Sequence, residues 1–244
     1  MTTATSPVTQ LRAVTAYALR VCAPRWFVAL IPVAALLLFG ALATLPDESA
    51  AVALRRVLGP GLYGLVLPIT CLVVGDALLA AEVRAGTFSF TYLSPVRLAT
   101  IVVGRWLAGV ALCSALLVPA SVLAALVAGA PGSAGVVALS VVAGSAAYTA
   151  VLLAVGASFA RAVVWGLALV LLVERLLGAA LSGIAQWCPG WLAAGVHDGL
   201  VDALGGRKGV PQGGSALLRL AIVTVVGLLI ATRRLRQLRA GAQD

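Results

Sequence analysis

The chain has 244 residues, of which 62% are hydrophobic and 10% are charged, and its formal net charge is +9. Soluble domains are about 45–50% apolar and about 25% charged, so this composition excludes a water-soluble globular protein. It predicts a single polytopic membrane domain over residues 1–244, with lipid as its solvent. The positive charges cluster at the ends of apolar blocks, which is typical of helices oriented in a bilayer and argues against nucleic-acid binding.

The first predicted element is an interfacial helix over residues 7–24. Leu11, Val14 and Ala18 recur at helical spacing, with polar side chains elsewhere around the turn. Such a pattern is typical of a helix that lies along a membrane surface. Pro24 then gives a natural bend before the first apolar block. A disordered N-terminal tail is the alternative.

Six apolar blocks follow, and each is long enough to cross a bilayer, which takes about 20 mostly apolar residues. The predicted spans are 26–45, 57–80, 99–128, 134–160, 163–184 and 215–232. We therefore expect an all-α membrane protein with six transmembrane helices.

The basic residues indicate that both termini are cytoplasmic, because the cytoplasmic loops of membrane proteins carry an excess of arginine and lysine. With the N-terminus inside, the inner side receives Arg12, Arg20, Arg25, Arg84, Arg97, Arg105, Arg161, Arg233, Arg234, Arg236 and Arg239. The outer side receives Arg55, Arg56, Arg207, Lys208 and Arg219. Arginine far outnumbers lysine, which favours a GC-rich bacterial genome and hence a bacterial cytoplasmic membrane.

The segment 185–214 is predicted to be a broken outer loop before the last span. It holds two short, half-apolar stretches separated by Pro189-Gly190, and neither is long enough to span. The loop either dips into the outer leaflet or lies on it as a plain connection.

The segment 82–98 is predicted to be an inner loop with a short helix of its own. Gly86 suits the end of the second span, Thr87 suits the cap of a new helix, and Pro95 stops it. The stub would expose the aromatic side chains Phe88, Phe90 and Tyr92, which favours contact with another protein over a solvated turn.

This loop resembles the inner loop of type-2 ABC exporter permeases. That family shows a Glu, a Gly-Thr pair, a Thr- or Ser-Pro-Val and then a Gly-Lys that enters the next helix. The matching residues here are Glu82, Gly86, Thr87, Ser94, Pro95, Val96 and Gly104, with Arg105 in place of the lysine. Ser89 stands where the family usually has an acid. The layout of a surface helix, six spans and a broken outer loop is similar as well.

The resemblance implies that the stub is a coupling helix seated in a cleft of a separate ATPase subunit. The implied ATPase-coupling residues are Glu82, Arg84, Gly86, Thr87, Phe88, Phe90, Tyr92, Ser94, Pro95 and Val96. The sequence has no G-x-x-x-x-G-K-[ST] phosphate loop, so we expect ATP and Mg²⁺ to be bound by the partner and no cofactor by this chain. Two ATPase subunits and a second permease subunit, identical or different, would complete the complex.

Glu174 and Arg175 lie in the middle of the fifth block, where ionisable residues are costly and seldom face lipid. One interpretation is a polar lining of a translocation path or a gate. The other is an ion pair between helices or across a dimer interface.

Two other classes of protein remain as alternatives. The first is a channel or carrier that works without ATP. The second is an intramembrane enzyme, which the sequence favours less. Ser158 lies in a stretch that nearly fits G-x-S-x-G, but the last glycine is missing and His197 is predicted on the opposite side of the membrane.

Overall fold

The computed structural model describes residues 6–22, 26–43, 57–80, 96–159, 161–201 and 209–241, together with positions 52, 55 and 82. All regular structure in these ranges is helical, and they contain no strand. Five helices are long and apolar enough to cross a membrane. The chain is therefore an all-helical, multi-pass membrane protein.

We number the helices in chain order. They are α1 (Pro7–Cys22), α2 (Trp26–Ala43), α3 (Val57–Val66, Leu67–Gly75 and Asp76–Ala80 in succession), α4 (Leu98–Val127), α5 (Ala134–Ser158), α6 (Ala162–Ala180), α7 (Ser182–Ala185), α8 (Pro189–Val201) and α9 (Gly214–Gly241). The five candidate spans are α3, α4, α5, α6 and α9. Helix α2 is 18 residues long and apolar, and its crossing of the membrane stays a prediction.

Helix α1 covers most of the predicted interfacial segment and packs on the first turns of α4. Its start is set by Ser6, whose hydroxyl accepts the Thr9 amide at 3.3 Å, and by Pro7 in the first helical position. The contact with α4 is made at Gly104, where a Cβ atom would lie 2.7 Å from Cγ1 of Val14. Glycine is therefore required for the two helices to approach this closely.

Helix α5 is the centre of the bundle and packs against α3, α4, α8 and α9. Small residues allow these close approaches, as is common between membrane helices. At Gly144 a Cβ atom would lie 2.8 Å from Leu67 and 3.0 Å from Ala193. The side chain of Tyr148, on the same helix, is fully buried.

Parts of α3 and α6 are wound as π-helix, over Val57–Val66, Asp76–Ala80 and Leu169–Leu177. A π turn pairs a carbonyl with the amide five residues later. For the carbonyl of Tyr63 that later residue is Pro68, which has no N–H. This carbonyl therefore needs a hydrogen-bond donor from outside α3.

The segment predicted as an outer loop carries helical structure. Helix α6 ends at Ala180, and Leu181 is extended, with φ −118° and ψ 113°. The short α7 follows, and Pro189 opens the 13-residue α8. Pro189-Gly190 thus begins a helix at the point where the sequence predicted a break between two short segments.

Most of the predicted coupling loop lies outside the described residues. The structure describes Glu82 at its start and Val96 at its end. The residues outside the description are Arg84, Gly86, Thr87, Phe88, Phe90, Tyr92, Ser94 and Pro95. Their role as a coupling stub stays a prediction.

Candidate functional site: two polar clusters at opposite ends of the bundle

The first cluster, here called the loop clamp, consists of Leu78, Glu82 and Arg105. The Arg105 guanidinium donates through Nη2 to Oε2 of Glu82 at 2.6 Å and through Nη1 to the carbonyl oxygen of Leu78. Arg105 is buried on α4, while Glu82 is half-buried and its side chain is 13% exposed. Charge-assisted hydrogen bonds of this kind are roughly twice as strong as neutral ones.

The loop clamp joins the two flanks of the segment 82–98. Leu78 precedes the loop, Glu82 is its first residue, and Arg105 follows it on α4. The same two helices are also close at Gly109, where a Cβ atom would lie 2.6 Å from Cδ1 of Leu78. Because both flanks are fixed to each other, a displacement of the loop would move α3 and α4 together.

The second cluster, here called the Glu174 cluster, lies near the other end of α3. It consists of Tyr63, Tyr148, Glu174, Arg175, Gly190 and Trp191. Tyr63 and Leu78 are separated along α3 by about 20 Å at the rise of helical residues, which is most of the thickness of a hydrocarbon core. The two clusters therefore lie toward opposite ends of the bundle.

The carboxylate of Glu174 is buried and accepts hydrogen bonds from two other helices. The Tyr148 hydroxyl on α5 donates to Oε2 at 2.5 Å, and the Gly190 amide at the start of α8 donates to Oε1 at 2.8 Å. The first amides of a helix have no partner within the helix and carry partial positive charge. Glu174 thus satisfies the N-terminus of α8 and anchors that helix to the bundle.

The neighbouring Arg175 supplies the donor that the Tyr63 carbonyl lacks. Its Nη2 donates to this oxygen at 2.7 Å, and its guanidinium lies 5.9 Å from the ring centroid of Trp191. A Cβ atom on Gly64 would lie 3.1 Å from the guanidinium nitrogens, so glycine makes room for the arginine. The side chains of Glu174 and Arg175 therefore hydrogen-bond to different groups, the carboxylate to α5 and α8 and the guanidinium to α3.

Gly190 lies where three elements converge. A Cβ atom there would lie 2.2 Å from Oε1 of Glu174, 2.7 Å from the Tyr148 hydroxyl and 2.7 Å from the Tyr63 carbonyl oxygen. The next residue, Trp191, donates its indole N–H to the Glu174 carbonyl at 3.1 Å. These contacts fix the start of α8 against α3, α5 and α6.

A buried histidine adjoins this cluster. The rings of His197 and Tyr63 have centroids 6.3 Å apart, and the Tyr63 hydroxyl is 2.5 Å from the hydroxyl of Ser140. His197 is fully buried, and neither ring nitrogen has a hydrogen-bond partner in the part of the chain that the structure describes. Burial lowers the pKa of His197 to about 4, so the ring is neutral near pH 7.

The other residues with catalytic or metal-binding chemistry are dispersed. The Ser158 hydroxyl donates to the Ala154 carbonyl of its own helix at 2.7 Å, at the end of α5 remote from His197. All four cysteines are buried and unbridged. The described residues contain no group of three His, Cys, Asp or Glu side chains placed to hold a metal ion.

Comparisons with protein-family models and with curated proteins give no match for this chain. The resemblance to type-2 ABC exporter permeases therefore rests on the residues of the loop and on the layout of the helices.

Sequence analysis singled out Glu82, Arg105, Glu174 and Arg175, and each is engaged in a cluster. It did not identify Tyr63, Tyr148 or Gly190 as their partners, because these residues come from distant parts of the chain. One partial signal was Pro68, whose missing N–H leaves a carbonyl one turn earlier without its helical donor, although only the π winding shows that this carbonyl is that of Tyr63. Whether Glu174 and Arg175 line a translocation path stays a prediction. Within this chain the carboxylate and the guanidinium both bond to groups on other helices.

Proposed function

We propose that this chain is the membrane-spanning permease subunit of an ABC exporter, which moves its substrate with energy from ATP hydrolysed by a separate ATPase subunit. The complex would contain two ATPase subunits, which bind ATP and Mg²⁺, and a second permease subunit. It would lie in a bacterial cytoplasmic membrane. The segment 82–98 would receive the movement of the ATPase.

The observation that supports this proposal is the loop clamp. A loop that transmits force must be attached to its spans by contacts that do not yield when it is pushed. Arg105 provides such an attachment, because it bonds Glu82 and the Leu78 carbonyl across the two flanks of the loop. Helix α1 braces the same site at Gly104. Two of the three clamp residues, Glu82 and Arg105, are among the residues that resemble the permease family, and so is the neighbouring Gly104.

The energetic logic is that of coupling between two sites. A partner shifts the conformation of the spans only if its contact with the loop differs between its ATP-bound and ATP-free states. If the two flanks of the loop moved independently, a change in the partner's contact with the loop would not move α3 and α4 together. A loop with clamped flanks passes it to α3 and α4 as one displacement.

The first test is the topology of the loop. All four native cysteines are buried, so a Ser89→Cys variant adds the one expected accessible thiol in the loop. A membrane-impermeant maleimide should label it only after the cells are permeabilised. A Gln212→Cys variant, at an exposed position before α9, is the matched control and should be labelled in intact cells. Labelling of Ser89→Cys from outside would contradict the proposal.

The second test is the partner. The chain, purified in mild detergent from its native membrane, should retain a subunit that carries a phosphate-loop motif and hydrolyses ATP. An Arg105→Gln variant should retain the subunit but lower transport, whereas Arg161→Gln, at an exposed position, should behave as wild type. A purified chain that moves cargo across vesicles without any ATPase would instead favour an ATP-independent carrier.

A further inference from the structure

An apolar groove runs between α5 and α9. Its volume is about 340 Å³, which lies within the range of about 300–1,000 Å³ typical of ligand pockets. Val151 and Val155 on α5 and Ile222, Val226 and Ile230 on α9 line its walls.

The ends of the groove are marked by two aromatic residues. Phe159 directly follows α5 and stacks on Trp165 with ring centroids 5.0 Å apart. Trp187 lines the other end, near the start of α9. Both rings are nearly half exposed. The groove thus extends along the membrane normal, in the direction taken by a lipid acyl chain.

A fixed cation lies beside the Trp187 end. The guanidinium of Arg219 lies 5.1 Å from the Trp187 ring centroid, and its Nη1 donates to Oε1 of Gln186 at 2.7 Å and to the Gln186 carbonyl at 3.3 Å. All of these partners are neutral, and no carboxylate pairs with Arg219 among the residues that the structure describes. The arginine is therefore held in one orientation, and within the described ranges its charge has no counter-ion.

We infer that the groove and Arg219 together form a binding site for one anionic glycerophospholipid. One acyl chain lies in the groove between α5 and α9, and the phosphate of the headgroup lies at Arg219. The apolar walls would accept the acyl chain of any lipid. The uncompensated positive charge is what selects a headgroup with net negative charge. This site does not depend on the proposed transport function, since it uses neither the loop clamp nor the Glu174 cluster.

Native mass spectrometry of the full chain in detergent tests the site, with dioleoyl phosphatidylglycerol and dioleoyl phosphatidylcholine as probes at equal concentrations. The wild-type chain should retain one phosphatidylglycerol with about tenfold preference, because the trimethylammonium group of phosphatidylcholine offsets the attraction between its phosphate and Arg219. An Arg219→Gln variant should lose this preference and retain the two lipids equally. Equal retention of both lipids by the wild-type chain would overturn the inference.

A pair of neighbouring substitutions tests the groove itself. Val226→Phe places a ring in the groove and should reduce retention of both lipids at least fivefold. Val225→Phe is the matched control, because Val225 is exposed on the same helix but does not line the groove. Equal losses in both variants would show a general lipid contact, and a change of oligomeric mass in Val226→Phe would show a second copy as the occupant. Either result would overturn the lipid site. If Val226→Phe does not fold, the Arg219→Gln measurement decides alone.

Discussion

The two ends of the bundle hold buried charge in different ways. At the loop clamp, a buried arginine on α4 bonds a carboxylate that still reaches solvent and one carbonyl just before the same loop. At the Glu174 cluster, a fully buried carboxylate is held by neutral donors from α5 and α8. The first arrangement joins two neighbouring helices, and the second joins elements from across the chain.

This difference indicates different roles for the two clusters. Removing one partner from a fully buried polar cluster leaves the other groups without hydrogen bonds, so the cost falls on the whole fold. Removing one partner from the clamp frees the flanks of one loop, while Glu82 retains access to solvent. We therefore expect stability to depend most on the Glu174 cluster and coupling to depend most on the loop clamp.

The largest effect is expected for Gly190→Ala. The added methyl group would lie 2.2 Å from Oε1 of Glu174 and 2.7 Å from the backbone carbonyl oxygen of Tyr63, so the start of α8 must move away and its hydrogen bond to the carboxylate is lost. We expect a loss of about 3 kcal/mol in the free energy of unfolding, from overpacking together with a buried polar group left unpaired. Thermal unfolding of the purified chain in detergent measures it.

The matched control is Gly183→Ala on α7. No atom lies within 4 Å of a Cβ built at Gly183, so this variant should unfold at the wild-type temperature. If the two alanine variants unfold at the same temperature, α8 is not anchored at Gly190 and the assignment of the Glu174 cluster is wrong.

Five of the six predicted spans coincide with helices long and apolar enough to cross a membrane, because hydropathy reports on burial in lipid. It also marked Glu174 as a residue in need of partners, since an unpaired charge in a bilayer is costly. It could not supply those partners. Tyr148 and Gly190 are ordinary residues in their own segments, and they meet Glu174 only because α5 and α8 pack on α6.

The helical structure after α6 was harder to predict for a related reason. The stretch beginning at Pro189 is too short and too polar to be a span by hydropathy alone. Its helix, α8, is stabilised by tertiary contacts, through the carboxylate at its N-terminus and through Leu192 and Val196, which are fully buried. Local sequence carries little information about contacts of this kind.

An intermediate effect is expected at the loop clamp. Arg105→Gln removes the hydrogen bonds from the guanidinium to the Leu78 carbonyl and to Glu82, and we expect a loss of about 2 kcal/mol in stability. Glu82→Gln should cost about 1 kcal/mol, because the amide still accepts a hydrogen bond and the site reaches solvent. A double-mutant cycle of the two changes, measured by thermal unfolding, should give a coupling energy of about 1 kcal/mol.

A transport assay separates the role of the loop clamp from that of the Glu174 cluster. Both clamp variants should lower transport more than their loss of folded protein explains, because the loop no longer has fixed flanks. Additive effects of Glu82→Gln and Arg105→Gln on stability, with transport unchanged, would show that the clamp does not hold the loop.

The smallest expected effect is a pH dependence of the free energy of unfolding, and it arises from His197 on α8. The pKa of His197 is lowered from 6.5 to about 4 by burial, so the unfolded chain takes up this proton at a higher pH than the folded one. As pH falls from about 6.5 toward 4, protonation favours the unfolded state, and the stability present near pH 7 is progressively lost. We expect a loss of about 1 kcal/mol in the free energy of unfolding between pH 7 and pH 5, since unfolded membrane proteins retain structure that keeps the ring partly shielded.

His197 is the only histidine in the sequence, so a His197→Phe variant removes all histidine titration and should make the unfolding temperature less dependent on pH over this range. An equally steep profile in His197→Phe would place the titrating group elsewhere.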